Sequence, residues 1–205
     1  NDVHAENLSE DYRSFDVYCF GKFYTHVHLN VYGRHNVYNA LAAAAASYVM
    51  NIDGESVALG LASFTGAGRR MEFKGKYHGA DIYDDYAHHP GELHALIDAV
   101  KTMGYKRIII AFQPHTYTRT KALFDDFVRE LKRVDVAVLA EIYAAREQNT
   151  IGISSRDLAR QIPNAVYFET LPEVAAHLRS IASEGDIILT VGAGDIYKAG
   201  EMLLK

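Results

Sequence analysis

Strands alternating with helices predict an α/β fold with a mostly parallel sheet flanked by helices. Three observations carry this expectation. From residue 69 onward, short apolar runs at 107–112, 136–139 and 187–191 alternate with segments of helical period. The connections are short, which suits crossover units whose strands are buried on both faces. Polar clusters fall at the ends of those runs, where open α/β sheets bind ligands.

The elements follow in order. Phe15, Val17 and Cys19 alternate with polar neighbours, as do Val27, Leu29 and Val31, around Phe20-Gly21-Lys22. That pattern reads as a β-hairpin. Val37 to Met50 is a run of helix formers with five consecutive alanines, and Asn36 is placed as its N-cap. The alanines would let this helix approach a neighbour closely. Asp53 opens a second short helix ending between Gly60 and Gly66. A hairpin and two helices make a poor core by themselves, so this third of the chain reads as the edge of something larger.

Farther on, Ile82 and Tyr83 end a strand, and Pro90 starts a helix through Met103 that Gly104 stops. After the 107–112 strand, Leu123, Phe124, Phe127, Val128 and Leu131 recur at helical spacing and read as core. Residues 136–139 form the next strand. Ser154 and Asp157 resemble a capping box for a helix that Pro163 ends. A strand over 166–168, a helix over 172–181, a strand over 187–191 and a helix over 195–204 complete the chain.

Composition removes several functions. The 205 residues carry 21 Lys and Arg against 26 Asp and Glu, a net charge of −5. That balance argues against nucleic acid and against a polybasic membrane surface. A single cysteine excludes a disulfide framework and a cysteine-based zinc site, and fits the cytoplasm. The apolar stretch at 42–46 is too short for membrane insertion. The chain begins with Asn and shows no signal-peptide pattern.

Four polar clusters lie at strand ends: residues 84–90, 113–120, 143–147 and 192–195. Each has a bland and a functional reading. His88 and His89 serve a turn or a cap, or bind a ligand. Adjacent residues point in different directions, and no His-x-x-x-His or Cys partner supports a metal, so no metal site is assigned. Asp84 and Asp85 cap the next helix or meet a sugar hydroxyl or cation. Arg119 is a surface ion pair or, beside His115, a recognition group for carboxylate or phosphate. Gly192-Ala193-Gly194 lacks the third glycine of a dinucleotide fingerprint, so nicotinamide binding is not expected. Asn36 and Asn39 are a cap and a helix-face residue, or ligand contacts.

Gly33-Arg34-His35-Asn36 followed by Asn39 resembles the Gly-x-His-Asn-x-x-Asn signature of the Mur ligases. The segments 84–90, 112–120, 143–147 and 192–196 are similar to the alanine-adding branch of that family. The resemblance runs over essentially the whole chain. It implies residues 1–67 as the end of a central ATP-binding domain and residues 68–205 as a complete amino-acid-binding C-terminal domain. The Asn start then reads as the cut end of a three-domain ligase. No Gly-Lys-Thr phosphate loop occurs; Gly-Lys is found at Gly21-Lys22 and Gly75-Lys76, each followed by an aromatic residue.

The implied reaction joins L-alanine to the muramate carboxylate of UDP-N-acetylmuramate, using ATP and Mg²⁺, through an acyl phosphate in peptidoglycan precursor synthesis. The ligands of Mg²⁺ and the phosphate loop are expected outside this chain, so the chain alone is expected to be inactive. By resemblance, His35, Asn36 and Asn39 line the adenine, Arg70 meets ribose and phosphates, and Asp85 accepts from ribose hydroxyls. His88, His115 and Arg119 surround the amino acid. Arg119 is matched to its carboxylate, and His88 is a positioning residue or one that handles the ammonium proton. Thr116 stands where some relatives carry Arg. A murein tripeptide-recycling ligase is the alternative enzyme. A folded domain that binds ligand only weakly is the non-enzymatic alternative.

Overall fold

A computed structural model describes residues 2–205. The chain divides into two compact units. One runs through Ala67 and includes Asp98–Met103; the other comprises Gly68–Ile97 and Gly104–Lys205.

The N-terminal unit is built on an antiparallel sheet of β1 (Val3–Glu6), β2 (Ser14–Cys19) and β3 (Lys22–His28), in that order. The expected hairpin is β2–β3; β1 adds a strand that the sequence reading did not contain. Phe15, Val17 and Cys19 on one face of β2 are fully buried, and their odd-numbered spacing fixes the register against Val27 on β3. Helices α1 (Arg34–Val49) and α2 (Gly54–Ser63) cover that face. From α1, Val37, Ala40 and Ala44 join Phe15, Val17, Val27 and Val57 in one apolar cluster. The small residues at 40 and 44 lie one turn apart on the buried face. The expectation of a poor core is thus corrected, because the third strand and the helix pair enclose a small one.

Asp53 caps α2 as expected, its carboxylate accepting from the Ser56 N–H at 2.8 Å. Asn36 does not cap α1. The N-cap is Gly33 at φ +100, and Asn36 lies inside the first turn, donating to the Tyr32 carbonyl at 2.8 Å. Glycine reaches that φ without a Cβ clash, which starts the helix earlier than Asn36 would.

The C-terminal unit is α/β. Its sheet order is β4 (Glu72–Tyr77), β5 (Ala80–Asp85), β9 (Asp186–Val191), β6 (Arg107–Phe112), β7 (Val136–Ala140), β8 (Ala165–Phe168). All neighbours are parallel except β4, which pairs antiparallel with β5. The mostly parallel sheet flanked by helices is the expected fold. Alternation along the strands divides the core. Ile109, Ala111, Val138 and Ile188 pack with α7 (Leu171–Ile181) and α8 (Tyr197–Leu203). On the other face, Phe112 meets Phe127 of α5 (Phe124–Leu131) at 5.3 Å between ring centres. Helix α3 (Pro90–Lys101) neighbours α5, His94 lying 3.0 Å from the Glu130 carboxylate. Helix α6 (Ser155–Gln161) carries the expected capping box on Ser154 and Asp157, and Thr170 with Glu173 builds a second on α7.

Three boundaries shift. The strand expected to end at Tyr83 continues through Asp85, so both aspartates sit on β5. The 113–120 cluster is not all loop, because α4 (Tyr117–Ala122) begins within it. The last helix starts at Tyr197, two residues later than expected. No helix among the described residues is long and apolar enough to cross a membrane.

Candidate functional site

The carboxyl edge of the C-terminal sheet gathers four connections: 86–89 after β5, 113–116 after β6, 141–154 after β7 and 192–196 after β9. Gln113 stitches two of them. Its amide nitrogen donates to Asp195 at 3.1 Å, and its oxygen accepts from the N–H groups of Asp195 and Ile196 at 3.0 and 3.1 Å. The glycines serve this packing. A Cβ at Gly192, which has φ +149, would lie 2.6 Å from the Gln113 carbonyl oxygen. One at Gly194 would strike the Gln113 side chain and the Tyr143 ring.

His115 follows β6 and stacks on Tyr143 with ring centres 5.7 Å apart and planes 20° from parallel. Backbone bonds between Thr116 and Tyr143 and between Tyr143 and Pro114, both 2.9 Å, hold the two loops as one rung. Glu147 reaches from the β7 loop to the start of α4, accepting from the Thr118 N–H at 2.9 Å and hydroxyl at 2.5 Å. Those bonds, the hydroxyl's first, hold its carboxyl below the ordinary glutamate range. Arg119 thereby sits on an anchored helical turn. Its Nη1 is buried and has no hydrogen-bond partner, and the same is true of His115 Nδ1. Burial first, then the Arg119 charge, pushes the His115 ring below its usual value. A buried guanidinium N–H without an acceptor is costly unless a ligand supplies one. That orphan is the clearest binding signal in the molecule.

His88 lies 6.1 Å from His115 between ring centres. Its Nδ1 is 3.0 Å from the Tyr86 carbonyl oxygen. A carbonyl can only accept, so Nδ1 carries a proton, and in the tautomer this bond selects Nε2 is the acceptor. Glu92 accepts from the backbone N–H groups of His88 and His89 at 2.9 and 3.2 Å, fixing the loop at the start of α3. His89 is a cap: its Nδ1 accepts from the Gly91 N–H at 3.2 Å. His89 thus caps the helix start, and the His88 ring also bonds within its own loop.

Both members of the acidic pair bond within the fold. Asp84, 2% exposed, accepts from Thr190 at 2.7 Å and from Arg69 at 2.8 Å. Asp85, 7% exposed, accepts from the N–H groups of Met71 and Ala87, each at 2.8 Å. Burial pushes its carboxyl up, against those bonds and the nearby Arg70. Arg70 is exposed, with its guanidinium 5.9 Å from the centre of the Tyr86 ring. Arg69 and Tyr143 were not among the candidates. Adjacent arginines look alike in sequence, and Tyr143 was read only within its cluster.

In the N-terminal unit, His35, Asn36 and Asn39 occupy the first turns of α1. Asn39 donates to the Asn36 amide oxygen at 3.1 Å, and His35 and Asn39 are exposed. The structure therefore groups the candidates as His88, His115 and Arg119 on one sheet edge, Arg70 and Asp85 beside Tyr86, and His35, Asn36 and Asn39 on one helix start.

The family model "Mur ligase, glutamate ligase domain" matches residues 69–194. A UDP-N-acetylmuramate–L-alanine ligase of Agathobacter rectalis is 46% identical over 211 residues, covering 100% of this chain and 46% of the relative. The corresponding ligase of Caldanaerobacter subterraneus subsp. tengcongensis is 42% identical over 212 residues, with the same coverage. Among solved structures, the UDP-N-acetylmuramate-alanine ligase MurC of Thermotoga maritima superposes with a TM-score of 0.83 at 27% identity, over 99% of this chain and 45% of that one. The chain thus spans a little under half the length of these relatives. The matched residues contain the sheet edge described above except for Asp195 and Ile196 at its last connection, and the chain belongs to the Mur ligase family.

Proposed function

We propose that this chain is the C-terminal part of an ATP-dependent ligase that joins L-alanine to the muramate carboxylate of UDP-N-acetylmuramate in the cytoplasm. The unpartnered, buried Nη1 of Arg119 beside His115 carries this reading. Identity of 42% and 46% to two alanine-adding ligases supports it. On this reading, residues 1–67 are the end of the ATP-binding domain and residues 68–205 the amino-acid domain.

A carboxylate is a poor electrophile. Transfer of the γ-phosphoryl group to a carboxylate oxygen gives an acyl phosphate and ADP. The alanine nitrogen then attacks the acyl carbon, the C–N bond forms, and phosphate leaves. Arg119 pairs the alanine carboxylate and orients the amine. The unprotonated Nε2 of His88 accepts from the ammonium group or takes its proton. His35, Asn36, Asn39 and Arg70 bind ATP; all but the half-buried Asn36 are exposed, and their amides and cation suit adenine and phosphate. Asp85 acts by holding Met71 and Ala87 in place, with its remaining lone pairs open to a ribose hydroxyl.

Mg²⁺, when bound, neutralises phosphate charge. Among the described residues no group of three His, Cys, Asp or Glu side chains could hold a metal ion, and the Mg²⁺ ligands are assigned outside this chain. The phosphate loop is likewise assigned outside this chain, and the chain alone is proposed to be inactive and to bind ATP no tighter than millimolar.

The test is kinetic, in the full-length ligase carrying this chain. Arg119→Ala is expected to raise KM for alanine on the order of 10²-fold, the scale of stranding a buried charge, while KM for ATP barely moves. Equal changes in both would overturn the assignment. Turnover of murein tripeptide in place of alanine would move the chain to the recycling branch.

A further inference from the structure

We propose that Arg69 is a positioning residue, whose task is to fix the direction of its neighbour Arg70. Three of its N–H groups are occupied. Nε donates to Asp84 at 2.8 Å, Nη2 to the Gly192 carbonyl at 2.7 Å and Nη1 to the Gly194 carbonyl at 3.3 Å. Its guanidinium also lies over two aromatic rings, 4.9 Å from the centre of Tyr86 and 4.9 Å from that of Tyr197. One side chain thus bolts the chain segment at 69 to β5, to the β9 loop and to α8.

The backbone on either side of Arg70 is held as firmly. The Arg69 N–H donates to Glu72 at 2.8 Å, and its carbonyl accepts from the Tyr86 N–H at 2.8 Å. The Met71 N–H donates to the buried Asp85 at 2.8 Å. Arg69 and Met71 both adopt left-handed backbone, at φ +56 and +46. Side chains other than glycine rarely rest there, and such residues persist only where the surroundings over-determine them. Between two anchored, left-handed residues stands Arg70, exposed, its guanidinium 5.9 Å from the centre of the Tyr86 ring. The arrangement spends one arginine to aim the other.

Only an arginine fits position 69. Its planar fork spans a carboxylate and two carbonyls while lying between two rings. Lysine would keep the charge toward Asp84 and lose the remaining geometry.

The consequence for ATP rests on the role proposed above for Arg70, whereas the consequence for the backbone does not. Two readouts keep them apart. In this chain, tryptic cleavage of the Arg70–Met71 bond under native conditions is expected to accelerate at least severalfold in Arg69→Gln, with Arg69→Lys between the two. In the full-length ligase, Arg69→Gln is expected to raise KM for ATP roughly as much as Arg70→Ala, and the double variant to be no worse than Arg70→Ala alone, because the two act as a unit. KM for alanine should stay within about twofold. Unchanged cleavage with a folded chain, or additive effects of the two substitutions, would overturn the proposal. Faster cleavage with no ATP effect from Arg70→Ala would leave the positioning role standing and overturn the nucleotide role.

Discussion

In the C-terminal unit every residue of β9 is buried, and so are five of the six in β6, because helices cover both faces of the sheet. In the N-terminal unit β2 alternates buried and half-buried residues, and helices cover one face only. Large apolar side chains stay outside there: Val49, Met50 and Leu59 are 73%, 71% and 66% exposed. A parallel sheet cannot leave a face to water, since its strands are apolar throughout. An antiparallel sheet can, and the smaller unit uses that freedom. The difference shows where stability resides. It comes from two-sided burial in one unit and, in the other, from one apolar seam where Phe15, Val17 and Val27 meet Val37, Ala40 and Ala44 of α1.

Substitutions break or sharpen this contrast. Phe112→Ala, at a fully buried site against Phe127, is expected to cost about 3–5 kcal/mol in a denaturant titration followed by circular dichroism. A loss below about 1 kcal/mol would mean that the sheet's second face contributes little. Ala44→Leu, on the buried stripe of α1, is expected to cost about 1–3 kcal/mol by overpacking. Ala43→Leu, exposed one residue earlier, should stay within about 0.5 kcal/mol, and equal effects would remove the seam.

Glu141 supplies a pH-dependent case in the larger unit. Burial raises its carboxyl, but bonds from Ser154, Tyr167 and the N–H groups of Ile142 and Ser155 outweigh that and hold it below the ordinary 4.5. A carboxyl lowered by folding adds stability above its unfolded value and loses it as pH falls through the folded one. Glu141→Gln should therefore cost on the order of 1–2 kcal/mol at pH 7 and progressively less below pH 4.5. A constant difference across that range would assign the cost to shape instead of charge. Smallest of all, Thr170→Ala should remove about 1 kcal/mol with the capping box of α7, read as a shift in thermal midpoint.

Elements with two buried faces or explicit stop signals were legible in the sequence. The 107–112 strand and the capping box at Ser154 stand where they were expected. The missed strands are edges. β1 alternates over only four residues, three half-buried and Glu6 exposed, and β4 interrupts its pattern with Gly75 between Lys74 and Lys76, so neither apolar period is long enough to stand out. The site divides in the same way. His88 and His115 on their loops, and Arg119 in the first turns of α4, stand out by residue type and position. Whether an aspartate binds backbone or ligand depends on which N–H groups a distant turn presents, as Met71 does to Asp85. No local pattern records that. The same blindness hid Arg69 beside Arg70.

Thr116 opens α4 at φ +69, a backbone region that a β-branched side chain enters at a cost of about 1–3 kcal/mol. Its N–H is bound by the Tyr143 carbonyl, and its own carbonyl accepts from both the N–H and the hydroxyl of Thr120. Glycine there would relax the turn. The molecule thus forgoes thermal endurance at one residue and obtains a helix whose first turn cannot swivel. For a designer seeking a hardier ligase, that position would be the tempting place to intervene, and the one where a gain in melting temperature should cost aim at Arg119.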